Sequence, residues 1–333
     1  MAWRSRGGKS AAGRECGFIM AKRMLDCTAS DFRNFTKEDY LSSIAGSEGR
    51  VIACECIGIT MPVLVDVTNA ELAACMGADI LLLNMFDVDH PVVNGLPLIG
   101  GMPAVAAQDT VKELKRLTGR MIGINLEPVE EKLAAENDET LWRMSQGRKA
   151  TADNAERACE MGVDMVLLTG NPGNGVSNQA ITDSLKAISA RLKDRLILAA
   201  GKMHASGITG EGGENIITRK DIDEFIDAGA DIILLPAPGT VPGITMEYVR
   251  ELIAHAHGRG ALTITAIGTS QEGADVDTIR RIALMCKMAG TDIHHIGDTG
   301  YPGMALPENI MAYSVAVRGV RHTYHRMATS VNR

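Results

Sequence analysis

The chain has 333 residues, of which 45% are hydrophobic and 4% aromatic, with a formal net charge of −7 at pH 7. This length and a mean hydropathy of +0.02 are typical of a globular, enzyme-sized protein with a full-size core. The acidic balance offers no positive field to nucleic acid or an anionic membrane surface, and no apolar run approaches the roughly 20 residues that span a bilayer, so neither partner is expected.

The N-terminal residues and the cysteines both favour a cytoplasmic protein. Residues 1–23 hold six Lys and Arg residues and no apolar segment of the secretory type, which predicts a disordered tail. The seven cysteines show no Cys-x-x-Cys pair and lie mostly in apolar runs, which indicates reduced thiols. They are at positions 16, 27, 54, 56, 75, 159 and 286.

From residue 50 onward one pattern recurs, a short apolar run followed by a polar loop and an amphipathic segment. The runs predict eight strands, over 51–56, 80–84, 121–126, 165–169, 196–200, 232–236, 262–267 and 293–297. The amphipathic segments predict eight helices, over 70–76, 110–117, 154–161, 180–192, 221–228, 246–257, 276–288 and 308–327. Each unit is roughly 36 residues long, as in a barrel repeat.

Four helix-to-strand junctions carry a glycine two residues before an aspartate. Glycine ends a helix in a left-handed turn, and the aspartate then begins a buried strand. The aspartates are residues 79, 164, 231 and 292. Strands that alternate with helices form a parallel sheet, and eight units favour its closure. The sequence therefore predicts a single α/β domain over 24–333, a (β/α)8 TIM barrel behind a short N-terminal extension.

An insertion at about 130–150 interrupts the regular spacing of the barrel units. It contains Trp142 and Arg148. Two interpretations stay open, a helical lid over the barrel mouth and a contact between the copies of a homo-oligomer.

Two glycine-rich loops follow the last two predicted strands, over 268–273 and 297–303. Glycine lets backbone N–H groups approach an anion, and barrels commonly hold phosphate after their seventh and eighth strands. These loops predict a site for a phosphorylated small-molecule substrate, with ordinary tight turns as the alternative. The candidate residues are Gly268, Thr269, Gly297, Thr299 and Gly300.

Lys202 and His204 follow the fifth predicted strand at the end where barrel active sites lie. A desolvated lysine can form a Schiff base or transfer a proton, and His204 could serve as its partner. The alternative is a solvated lysine paired with an acidic residue of the same loop. Asp298, at the mouth of the last strand, completes the catalytic candidates with Glu55.

Glu55 stands alone in an otherwise apolar strand, so its carboxyl group needs a partner, a metal or a proton. With Asp87 and Glu127 it would form an oxygen-rich site for Mg²⁺ or Mn²⁺, and a hydrogen-bonded structural carboxylate is the alternative. His294 and His295 point to opposite faces of one strand, so at most one faces the interior. Other polar residues expected at the mouth are Asn84, Asn125, Asn171 and His295.

The segments 24–32, 67–73, 83–88 and 295–300 resemble a bacterial barrel family of unknown function, over a match from residue 24 to near the C-terminus. Its members are sometimes labelled haloacid-dehalogenase-like hydrolases. Such phosphatases need an Asp nucleophile and a second Asp two residues later, whereas here Thr68 follows Asp66 at that spacing. The chain is more distantly similar to phosphate-binding barrels and to the phosphoenolpyruvate mutase/isocitrate lyase group, without the latter's Lys-Lys-Cys-Gly-His type of loop.

Together these patterns predict an enzyme that acts on a small phosphorylated, sugar-like metabolite. Proton transfer next to a carbonyl group would make it a lyase, an aldolase or an isomerase. A metal-dependent hydrolase and a barrel that binds a phosphometabolite without catalysis are the alternatives.

Overall fold

The computed structural model describes residues 22–129, 144–170, 176–205, 210 and 212–333. In that part of the chain eight parallel strands close into a barrel, with each strand paired to its neighbours in chain order and the last paired to the first. A separate antiparallel hairpin consists of β3 and β4. The strands are β1 Val51–Ile57, β2 Ile80–Asn84, β3 Leu98–Ile99, β4 Met102–Pro103, β5 Met121–Leu126, β6 Met165–Leu168, β7 Ile197–Gly201, β8 Ile232–Pro236, β9 Leu262–Ile267 and β10 Ile293–Ile296.

A helix follows every barrel strand and packs outside it. The helices are α1 Ala29–Phe32, α2 Lys37–Ala45, α3 Asn69–Cys75, α4 Thr110–Thr118, α5 Ala152–Met161, α6 Asn178–Leu192, α7 Arg219–Asp227, α8 Met246–Gly258, α9 Val276–Ala289 and α10 Pro307–Ala328. The TIM-barrel prediction is confirmed, the eight strands to within one residue at either end and their helices to within two. No described helix is both long and apolar enough to cross a membrane.

Helices α1 and α2 and the β3–β4 hairpin were not predicted from the sequence. Thr36 is the N-cap of helix α2, and its side chain and that of Asp39 form a capping box. Phe32, Tyr40 and Ile44 join the same buried cluster as the apolar residues inside the barrel. The two short helices therefore close the amino end of the barrel.

Alternation along each strand separates an inner core from an outer one. In β1, Val51 and Ala53 belong to the inner cluster, whereas Ile52, Cys54 and Cys56 pack outward among the helices. Both cysteines of β1 are therefore core residues. The same alternation turns Glu55 inward, one layer above Ala53 and towards the carboxyl end.

The four glycine-aspartate junctions fasten the amino end of the barrel. Their glycines are all left-handed, with φ between 98° and 111°, where L side chains are strained: they are residues 77, 162, 229 and 290. Each aspartate accepts a hydrogen bond from a backbone N–H of the preceding barrel strand, at 2.8 or 2.9 Å. Each also pairs with a basic side chain: Asp79 with Arg318 and Arg326, Asp164 with Lys115, Asp231 with Lys37 and Asp292 with His257. The device recurs at every second strand, so the barrel consists of four two-strand units.

Candidate active site

Polar side chains from four barrel strands or the loops after them meet at the carboxyl end of the barrel. Asn125 Nδ2 donates to Glu55 Oε1 at 2.6 Å and lies 3.3 Å from Asn84 Oδ1, and Asn84 Nδ2 donates to Asp298 Oδ2 at 2.8 Å. The two amides thus link the carboxyl groups of Glu55 and Asp298 in one hydrogen-bonded chain. The structure brings together these four predicted residues, and His295 lies beside them.

The orientation of both amides follows from the backbone. Asn84 Oδ1 accepts the N–H of Met85 at 2.8 Å, which leaves Asn84 Nδ2 to donate to Asp298. Met85 is left-handed, with φ of 57°, an uncommon conformation for a non-glycine residue. Asn125 uses its Nδ2 as donor, and its buried Oδ1 has no hydrogen-bond partner among the described residues. The site therefore presents an unused acceptor towards the mouth.

Glu55 and His295 form a buried pair in which burial disfavours the charged form of both groups. Glu55 is 6% exposed and His295 is fully buried, with Nε2 of the histidine 3.6 Å from Oε2 of the glutamate. Burial raises the pKa of Glu55 well above its ordinary value, nearby Asp298 and Glu272 raise it further, and the bond from Asn125 opposes them. Burial also lowers the pKa of His295 to about 4. A buried carboxyl group whose pKa is raised is suited to acid and base work.

The two glycine-rich loops lie side by side, as predicted, because Gly297 donates its N–H to the carbonyl of Ile267 at 2.8 Å. Gly268 lies under Met203, whose sulfur a Cβ at that position would meet at 2.2 Å. The hydroxyl of Thr269 donates to the carbonyl of Thr240 at 2.7 Å. The loops are thus closely packed, and a side chain at 268 would require Met203 to move.

Carboxyl groups occupy the backbone donors of these loops. Asp298 Oδ1 accepts the N–H of Gly300 at 2.8 Å, and the backbone amides of Ser270 and Thr299 lie close enough to the carboxyl group of Glu272 to favour its ionised form. Ser270 and Thr299 are left-handed, with φ of 78° and 56°, which is unusual for side-chain-bearing residues and turns their N–H groups inward. Burial raises the pKa of Glu272, and Asp298 adds to that rise. Phosphate at these loops stays a prediction.

Lys202 and His204 lie across the mouth from Glu55. Lys202 directly follows β7, which is the fifth strand of the closed barrel and so stands opposite β1. It is 3% exposed, and His204 is half-buried, with a pKa that burial lowers. Their catalytic roles stay predictions.

The carboxylates predicted as metal ligands do not converge. Asp87 Oδ1 accepts the N–H groups of Asp89 and His90 within its own turn, and Glu127 forms an ion pair with Arg148. No three His, Cys, Asp or Glu side chains in the described ranges are grouped so as to hold a metal ion. The structure therefore does not assemble the predicted site from Glu55, Asp87 and Glu127.

Sequence reasoning placed some site residues outside the described ranges and missed others. Asn171 and residues 130–143 of the predicted lid lie outside those ranges, as does the tail over 1–21. Glu272 lies within the loop 268–273 but was not among the predicted site residues. A carboxylate inside a loop predicted to bind an anion is itself a signal that could have identified it. Thr169, directly after β6, adds a buried hydroxyl without a hydrogen-bond partner among the described residues.

The two adjacent histidines of β10 face opposite sides, as alternation predicts. His295 lies inside the barrel beside Glu55. His294 lies outside, edge-on to the ring of Tyr313 at 5.5 Å, and its Nε2 donates to the carbonyl of Gly49 at 3.0 Å. Burial lowers the pKa of His294, too, to about 4.

Acid should destabilise the barrel through these two histidines. Below pH 6.5 the unfolded chain binds protons that the folded protein does not accept until about pH 4, so this contribution to stability is lost as the pH falls through that range. We expect the His294→Gln and His295→Gln variants to lose less melting temperature than the wild type between pH 7 and pH 4. Exposed His90→Gln is the control, and histidine variants that parallel the wild type would contradict the prediction.

Matches to a protein family and to solved structures cover most of the chain. The model of a family described as domain of unknown function, DUF7916, matches residues 25–333. No curated protein matches significantly. The structure of an endo-β-1,4-mannanase from Thermotoga petrophila is 14% identical with a TM-score of 0.50, and the match covers 83% of this chain and 79% of that one. At this identity the similarity is one of fold.

Two further solved structures match with lower TM-scores. Thiamine phosphate pyrophosphorylase from Pyrococcus furiosus is 11% identical with a TM-score of 0.45, over 81% of this chain and 96% of that one. The structure of 2,3-dimethylmalate lyase, a member of the PEP mutase/isocitrate lyase superfamily, is 13% identical with a TM-score of 0.44, over 79% and 81%.

Proposed function

We propose that this chain, which belongs to the DUF7916 family, is an enzyme that moves a proton next to the carbonyl group of a small sugar-like metabolite, as an isomerase or a lyase. The observation that supports this most is Glu55, a buried carboxyl group at the barrel mouth with a raised pKa. General acid–base catalysis needs a group whose pKa lies near the working pH.

Glu55 is the residue that exchanges a proton with the substrate. In its ionised form it removes a proton from the carbon next to the carbonyl, and in its protonated form it returns that proton to the neighbouring atom. Return to the other carbon of an enediol, with the hydroxyl proton passing between the two oxygens, gives an isomer, whereas loss of a hydroxyl group from the next carbon, which takes the proton and leaves as water, gives a lyase product. Asn125 holds Glu55 through Oε1, which leaves Oε2 on the side of His295.

The neighbouring groups suit the remaining parts of the reaction. Neutral His295 can donate a hydrogen bond to the carbonyl oxygen as negative charge develops on it. Asn125 Oδ1 and Thr169 Oγ1, both buried and unpartnered among the described residues, can receive substrate hydroxyl groups. The phosphate group predicted from the sequence is not part of this proposal, because the loops that would hold it carry Glu272 and Asp298.

Lys202 offers a second form of the same chemistry, in which an imine with the substrate carbonyl promotes proton removal. It directly follows β7, the strand opposite the one that carries Glu55. Borohydride reduction distinguishes this form, because only an imine leaves a stable adduct on the peptide that contains Lys202.

Proton exchange in deuterated water tests the proposal. The protein is incubated with a panel of aldoses, ketoses and 2-oxo acids, and the hydrogen next to the carbonyl is followed by NMR. We expect the bound substrate to exchange one such hydrogen for deuterium, because Glu55 equilibrates with solvent between removal and return. Protein with Glu55→Gln is the control. A carbonyl compound that raises the melting temperature but shows neither exchange nor turnover would count against the proposal.

A further inference from the structure

The two glycine-rich loops at the mouth are already occupied by side chains of this protein. Glu272 lies in the loop after β9 and Asp298 in the loop after β10. Asp298 accepts the backbone N–H of Gly300 at 2.8 Å, and the carboxyl group of Glu272 lies beside the backbone amides of Ser270 and Thr299, which favour its ionised form. Backbone donors of this kind are what loops use to bind phosphate. Here they bind the protein's own carboxyl groups.

An added anion at these loops would meet negative charge. Glu55, Glu272 and Asp298 lie close enough that Asp298 raises the pKa of both glutamates. A phosphate brought to the two loops would be repelled by Glu272 and by Asp298 in their ionised forms, and the low dielectric of a buried site strengthens that repulsion. Of the cationic side chains around the mouth, Arg148 is paired with Glu127. The electrostatics at this end of the site therefore oppose a phosphate ester.

The buried polar atoms near Glu55 offer acceptors to a ligand. Asn125 Oδ1 and Glu272 Oε2 are buried without hydrogen-bond partners among the described residues. The hydroxyl of Thr169 and both ring nitrogens of His295 are likewise buried, without hydrogen-bond partners among the described residues. Amide and carboxylate oxygens need donors, which hydroxyl groups supply and a phosphate dianion does not. The unused atoms thus match a ligand with several hydroxyl groups.

From the filled loops and the unused acceptors, we infer that the substrate is a hydroxylated carbonyl compound without a phosphate ester, and that Glu272 and Asp298 exclude phosphate from this end of the mouth. The inference rests on the proposed function for the assignment of this mouth as the substrate site. It names Glu272 and Asp298 as specificity-determining residues, which act by charge and by occupying the loop N–H groups.

Binding of inorganic phosphate tests the exclusion without knowledge of the substrate. Calorimetry compares the wild type with Glu272→Gln and with Asp298→Asn, each of which removes one negative charge and keeps the shape of the side chain. Glu48→Gln is the control, because it removes the same charge from a side chain that is 80% exposed. We expect at least tenfold tighter phosphate binding in Glu272→Gln than in the wild type, and no change in the control.

Two outcomes would overturn the inference. Phosphate that binds the wild type as tightly as it binds both site variants would show that the carboxyl groups do not exclude it. No gain in either folded variant would show that other features keep phosphate out. Melting curves establish whether each variant folds. If Glu272→Gln does not fold, Asp298→Asn provides the test.

A paired screen tests the substrate class. D-Ribose and D-ribose 5-phosphate, and dihydroxyacetone and its phosphate, are compared for binding and for deuterium exchange. We expect the wild type to prefer the free sugar of a pair, and Glu272→Gln to reduce that preference at least tenfold. A preference of the wild type for the phosphate esters would overturn the inference. Glu55→Gln separates the two proposals, since it should abolish exchange and leave the discrimination against phosphate unchanged.

Discussion

Replacing Glu55 with glutamine should make the barrel more stable and the enzyme inactive. The side chain keeps its shape and can still accept the hydrogen bond from Asn125. It can no longer exchange a proton with the substrate, so we expect kcat to fall by about 10²- to 10⁴-fold, the usual contribution of a general acid or base. A residue with a purely structural role would not combine a gain in stability with a loss of turnover.

The gain in stability should depend on pH. Because burial raises the pKa of Glu55 in the folded protein, its contribution to stability is fully present below pH 4.5 and is lost as the pH rises through the raised value. Glutamine mimics the protonated form and avoids that loss. The melting temperature of Glu55→Gln should therefore match the wild type near pH 4 and exceed it increasingly towards pH 8.

Melting curves from pH 4 to pH 9, with kcat measured on the substrate found by deuterium exchange, check both parts. Exposed Glu48→Gln should change neither quantity. A Glu55→Gln protein with full turnover would refute the catalytic role. One that is less stable than the wild type at pH 8 would show that ionised Glu55 stabilises the fold.

Asp79→Asn should destabilise the barrel more than any other change at the four junctions. Asp79 pairs with Arg318 at 2.6 Å and with Arg326 at 2.7 Å, and these three side chains are almost completely buried. Arg120 lies near them, and burial followed by repulsion from Arg326 lowers its pKa to about 9. Asparagine would leave several buried guanidinium groups without a counter-charge. Breaking a buried ion pair in this way costs about 3–5 kcal/mol.

Asp292→Asn is the matched control for this loss. Asp292 is the equivalent residue of another junction and accepts the same type of hydrogen bond, from the N–H of Thr263. Its basic partner, His257, is partly exposed to solvent. Water can solvate the charge on His257, so we expect a clearly smaller loss of stability than in Asp79→Asn. Denaturant unfolding, followed by circular dichroism, measures both. Equal losses would show that the stranded arginines are not the cause.

The barrel strands could be predicted from the sequence because several signals agreed. Apolar runs and amphipathic segments recurred with one spacing in every unit, and the glycine-aspartate junctions marked four of the eight units. The N-terminal helices carried no such signal. Their apolar residues, among them Phe32, Tyr40 and Ile44, are few and irregular in spacing, and they become buried only because the amino end of the barrel offers a surface.

The site was predictable only in part, for a related reason. Glu55, Asn84 and Asn125 could be placed together because parallel strands end at one edge of a sheet. Which side chain fills a loop depends on the backbone of that loop. Ser270 and Thr299 are left-handed with their backbone amides beside Glu272, and no rule of spacing predicts a left-handed serine or threonine.

The pairing of the junction aspartates also bears on how the chain unfolds. Lys37, in the helix before the barrel, pairs with Asp231 at the start of β8, in the second half of the chain. Arg318 and Arg326, in the last helix, pair with Asp79 at the start of β2, in the first half. Each terminus thus neutralises a carboxylate of the opposite half. Neither half-barrel would keep its buried charges paired alone, so we expect the described barrel to unfold as one cooperative unit.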